Sequence, residues 1–149
     1  MRYLLFLFSL LVTPALGQTP VVHPLSMSVS SIDMTVVLHD DAGKPIADQY
    51  VQTSDDPSCS KCGSLTLGHA VAHALFAAFP DEKDLSGEQK WARGVLAEQI
   101  KNEPKAQLSS AQIVVIKALV GKLYNGVIVT QIFKLLDPNA TPPALLPVK

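Results

Sequence analysis

Hydrophobic positions along this chain change period twice, and each change predicts a different kind of structure. Leu4 to Val12 form one apolar run broken only by Ser9, about half the length that a bilayer-spanning helix needs. Further on, Ile32, Met34, Val36 and Leu38 alternate with Asp33, Thr35, Val37 and His39, the period-two pattern of a half-buried strand. Asp40 to Pro45 then gathers turn formers, with Gly43 free to adopt positive φ and Pro45 barred from central ladder pairing. Ile46 to Gln52 follows as the returning strand, so this stretch predicts a β-hairpin.

After the polar loop Thr53–Gly63, the spacing becomes helical. Thr66 caps a predicted helix to about Phe79, with Leu67, Ala70, Val71, Ala74, Leu75 and Ala78 in one stripe and Pro80 just beyond. Ser86 and Gln89 form a capping box for a second helix to about Asn102, with Trp91, Ala92, Val95, Leu96 and Ile100 as its buried candidates. Asn102–Gln107, with Pro104 and the charges of Glu103 and Lys105, reads as an exposed connector. A second capping box, Ser109 with Gln112, opens a helix carrying Ile113, Val115, Ile116, Leu119, Val120 and Leu123. Asn125-Gly126 reads as a stop or bend. Val127–Leu136 follows, with Ile128, Val129, Ile132, Phe133, Leu135 and Leu136 opposing Thr130, Gln131 and Lys134. The expected fold is α+β, an N-terminal β-hairpin followed by three to four packed helices.

The opening apolar run acquires a meaning from its flanks. Arg2 precedes it, Thr13-Pro14 ends it, and Ala15 and Gly17 place small residues before a cut at Gln18. These are the marks of a secretory signal over residues 1–17, which implies a secreted or periplasmic protein with no stable membrane span after cleavage. Residues 18–137 then make a single small α+β domain, and 138–149 a proline-rich tail. Charge excludes a class of partners. The chain carries 12 Lys+Arg and 13 Asp+Glu, a formal net charge of −1, and losing Arg2 makes it more negative. That balance supplies no footprint for nucleic acid or anionic lipid.

One group of residues has the composition of a chemical site. Cys59-Ser60-Lys61-Cys62 precedes His69 and His73, which lie four apart and so share a helical face with Phe76. In an oxidising compartment, two cysteines are most simply paired as a Cys59–Cys62 disulfide, closing a small loop before the helix. The alternative is zinc, for which Cys59, Cys62, His69 and His73 supply the four ligands of a tetrahedral site. Only six residues separate Cys62 from His69, short of the dozen or more in a familiar finger. If the cysteines are bridged, the histidines read as exposed polar positions. A thioredoxin-type redox centre shares the Cys-x2-Cys spacing but needs a β-α-β setting that this pattern lacks. The acidic pairs Asp40-Asp41, Asp55-Asp56 and Asp81-Glu82 fall in predicted turns. The chain has no Gly-x-Ser-x-Gly, Walker, Gly-x-Gly-x-x-Gly or His-Glu-x-x-His motif.

The segments DAGKPI (Asp41–Ile46), LTLG (Leu65–Gly68), LSGEQKWAR (Leu85–Arg93) and IKALVGKLYNGVIVTQIFKLL (Ile116–Leu136) resemble a group of short phage and prophage proteins over residues 33–137. The resemblance implies a strand and turn followed by helices, and it brings no assigned catalytic residues. The chain departs from that group in its signal segment and its Cys-x2-Cys loop. Together these readings predict an exported, non-enzymatic interaction or structural protein acting on a protein partner, with no cofactor; zinc binding is the alternative.

Overall fold

The computed structural model describes residues 28–49 and 62–144. The expected signal segment, the residues before Ser28, the end of the expected returning strand, Cys59 and the end of the expected tail lie outside the described residues. Within them the order is β1 (Val29–Asp33), α1 (Leu67–Phe76), α2 (Gly87–Asn102), β2 (Lys105–Ser109), α3 (Ser110–Leu123) and α4 (Gly126–Leu136). This is an α+β fold in which a strand precedes the helices.

The strand pairing differs from the expected hairpin. β1 pairs antiparallel with β2, setting Ile32 opposite Ala106 and Ser30 opposite Leu108. β2 occupies the stretch expected to be an exposed connector. Its five residues, KAQLS, alternate Ala106 and Leu108 inward with Lys105 and Gln107 outward, the pattern of a strand with one buried face. The turn at Asp40–Pro45 does form: Asp40 Oδ1 accepts from the amides of Ala42 and Lys44, and Gly43 has φ +76°. Among the described residues, pairing around that turn consists of isolated bridges, His39 to Pro45, Val37 to Thr66 and Ala47 to Ser64. The inward alternation survives, since Ile32, Met34 and Leu38 are buried. Segment 34–38 bonds mainly to the entry of α1, where Leu67 N–H donates to Val36 C=O and Gly68 N–H to Met34 C=O.

Each helix start has a local cause. Thr66 Oγ1 accepts from His69 N–H, and Ser86 and Ser109 make complete capping boxes with Gln89 and Gln112. Asn125 is the N-cap of α4, its Oδ1 accepting from Val127 and Ile128, so the residue read as a stop is also a start. Leu38, Leu67, Val71, Ile100, Leu108, Ile116, Val120, Ile132 and Leu136 are the large, fully buried apolar side chains of one continuous core. Gly68 lets α1 approach closely. A Cβ there would lie 3.1 Å from Met34 O and 3.2 Å from Ile100 O.

Polar side chains tie the periphery to this core. Gln131 on α4 reads the backbone of His39 in both directions, accepting from its N–H at 3.0 Å and donating to its C=O at 2.6 Å. Arg93 on α2 serves the C-terminal end of α1, donating to the carbonyls of Ala74, Leu75 and Ala77 while pairing with Glu82 at 2.7 Å. Those carbonyls otherwise lack helical partners and carry the negative end of the helix dipole. Lys122 on α3 pairs with Asp81 at 2.6 Å and lies over Phe79, fixing the α1–α2 connection against α3.

Candidate functional site

The two histidines do not lie on an exposed face. Asp48, only 1 % exposed, reaches them from the segment after the first turn. The bridge Ala47 to Ser64 and the bond from Asp48 N–H to Gly63 C=O carry that segment alongside the entry of α1. His69 Nδ1 lies 2.6 Å from Asp48 Oδ2, and His73 Nε2 lies 4.0 Å from Asp48 Oδ1. A buried carboxylate is stable only when its charge is met by hydrogen bonds or opposite charge. The 2.6 Å contact meets that need, with Nδ1–H of His69 as donor. Burial is the main force holding the His73 pKa below its ordinary value; Asp48 opposes the shift, while His69 and Lys101 reinforce it.

This arrangement orients His69, and the groups around the ring among the described residues are themselves engaged. Its side chain, 35 % exposed, borders a cleft of about 300 Å³ lined also by Thr35, Thr66, Lys101 and Glu103. An oriented imidazole can serve as a base when a nucleophile and an oxyanion cradle stand beside it. Here Thr35 Oγ1 donates to Asp33 and Thr66 Oγ1 is the cap acceptor. The first amides of α1 are also engaged, by Val36, Met34 and Thr66. Among the described residues the pair forms a polar tie between the Asp48 segment and α1.

Of the expected site residues, His69 and His73 are brought together, with Asp48 as the partner that the sequence reading missed. No spacing motif could have revealed it, because the approach depends on strand-like bridges across the intervening loop. Cys62 is half-buried and among the described residues no cysteine is a free thiol. Its expected partner Cys59 lies outside them. No group of three or more His, Cys, Asp or Glu among the described residues is placed to hold a metal ion. No helix among them is long and apolar enough to cross a membrane.

A second feature lies on α2. Trp91 and Val95, expected to be buried, are 74 % and 48 % exposed. The helix directs Ala97, Ile100 and Arg93 toward the rest of the molecule, and positions 91 and 95 then fall on the opposite side. Gly94 lies between them, in mid-helix, with nothing among the described residues within 4 Å of where a Cβ would be. Internal packing does not require that glycine, although it costs the helix about 1 kcal/mol relative to alanine. Beside it opens a cleft of about 250 Å³ lined by Phe76, Phe79, Lys90, Arg93 and Gly94. Phe76 is itself 53 % exposed. Comparison with protein-family models, with curated proteins and with solved structures gives no match.

Proposed function

We propose that this chain is an exported, non-enzymatic interaction protein whose working surface is the outward face of α2. One observation carries the reading: Trp91, the only tryptophan of the chain, stands 74 % exposed on a helix that buries only Ala97 and Ile100. Tryptophan is the residue most enriched among the anchors of protein interfaces, because its large rigid surface is covered at little entropic cost. Val95 one turn on and Phe76 across the cleft extend the apolar patch. Export rests on the signal features of residues 1–17, and in that compartment a Cys59–Cys62 bridge would stiffen the loop before α1.

A photo-crosslinking amino acid at position 91, with position 134 on α4 as control, tests the docking face in the extracytoplasmic fraction. Adducts formed from position 91 but not from position 134 are expected; equal labelling or none at position 91 would sink the reading. Mass analysis of the same material is expected to show a start at Gln18 and a chain two hydrogens lighter than the reduced sequence. Two free thiols with one stoichiometric zinc, lost when His69 and His73 are both replaced by Ala, would instead establish the zinc alternative.

A further inference from the structure

We propose that the occupant of the α2 face is a second copy of this chain, crossing antiparallel at Gly94. The proposal rests on the docking reading and names its partner. Lys90, Gly94 and Glu98 stand at i, i+4 and i+8, so they form one stripe along α2. A two-fold axis at Gly94 that runs the second α2 antiparallel brings position 90 level with position 98 of the other copy. Lys90 then faces the second copy's Glu98, and the symmetry repeats the pair. A parallel crossing would set lysine near lysine and glutamate near glutamate. Among the described residues neither Lys90 nor Glu98 takes part in an ion pair, so both charges remain available.

The apolar groups fit the same geometry. Trp91 and Val95 flank the stripe on one side, and the cleft bearing Phe76 flanks it on the other. In an antiparallel crossing Trp91 of each copy comes level with the region beside Val95 of the other, joining the two exposed pairs in one cluster. Gly94 at the crossing point adds no side chain, which permits an interaxial distance toward the short end of the usual 8–10 Å. A two-fold interface must be complementary to itself, and this face meets that requirement in charge, in apolar content and in the bare backbone at its centre.

Sedimentation velocity over a concentration series, on protein expressed from residues 1–149, tests the proposal. The variants are Lys90→Glu, Glu98→Lys, the two combined, and Trp91→Ala, each checked for wild-type helicity and melting. Dimeric mass is expected for the wild type, with dimerisation weakened at least about tenfold by Trp91→Ala and by either charge reversal. The double reversal is expected to recover dimerisation to within about threefold of wild type, because it restores the opposed charges. A monomer at every concentration overturns the proposal, as does a dimer indifferent to these changes or a double reversal no better than the singles. A monomer whose position 91 still crosslinks to another protein overturns self-association alone, whereas the absence of any adduct at position 91 removes the docking reading as well. A monomer whose Trp91 is shielded from solvent would place a segment of the same chain on the face, again contradicting a second copy.

Discussion

Helices α1 and α2 pack against each other, yet they use their residues in opposite ways. α1 buries seven of its ten residues and α2 two of its sixteen. α1 is a core element, and its alanines and Gly68 allow neighbours to approach on several sides. α2 is held at its edges, by the Ser86–Gln89 box at its start, Ala97 and Ile100 along one line, and Arg93 clasping the end of α1. Its outward residues are thus released from the work of folding. Stability should be concentrated in the elements around α1, and association in α2.

The sharpest way to break that contrast is to truncate the core and the α2 face in parallel. Ile132→Ala removes a fully buried side chain and should cost about 2–5 kcal/mol by equilibrium denaturation. Phe133 is only half-buried beneath Lys117, so it is the lesser of the two neighbouring truncations. Arg93→Ala should cost about 2–3 kcal/mol, because it strips three carbonyls of their donor and leaves Glu82, 17 % exposed, without its close partner. A loss as small as that of a surface substitution would mean that α2 is not held in this way. Gly68→Ala should cost about 1–3 kcal/mol, since its Cβ meets backbone oxygens that cannot move cheaply. Gly94→Ala, with open space around it, should leave the monomer unchanged or slightly more stable.

A smaller effect distinguishes the histidine tie from both helices. The His73 pKa lies below its ordinary 6.5 in the folded protein, chiefly through burial, so the unfolded chain takes up that proton first. Stability is therefore expected to fall as pH drops through about 6.5 toward the folded pKa, with a slope of at most about 1.4 kcal/mol per pH unit from this group. His73→Gln should flatten the melting temperature across that window; an unchanged slope would refute the assignment. Asp33 and Asp81, whose carboxyls are held low by bonds to Thr35 and Lys122, act only at more acid pH. The smallest effect belongs to Trp91→Ala, expected to change monomer stability by no more than about 0.5 kcal/mol.

Local signals were legible in the sequence wherever the cause is local. Both capping boxes, the Thr66 cap and the Asp40–Pro45 turn follow from residues within five positions of one another. The inward alternation of Ile32, Met34 and Leu38 was legible for the same reason. β2 was obscured because Pro104 and the adjacent charges resemble a linker, and its partner β1 lies more than seventy residues earlier in the chain. The exposure of Trp91 and Val95 is not legible from their apolar character, because the side that α2 buries is set by Arg93 and Ile100. Asp48 carries no signal of its own, and its meeting with His69 and His73 depends on how the chain closes across an intervening loop.

Because Trp91 is the only tryptophan, its intrinsic fluorescence reports the α2 face directly. Emission measured over a protein dilution series is expected to be red and solvent-like at low concentration, and to shift to the blue as copies associate. Lys90→Glu should move the shift to at least about tenfold higher protein concentration, and its combination with Glu98→Lys should bring it back. Blue emission that persists at the lowest concentration would show that the chain already covers Trp91, contradicting the claim that α2 turns this residue outward to meet a partner.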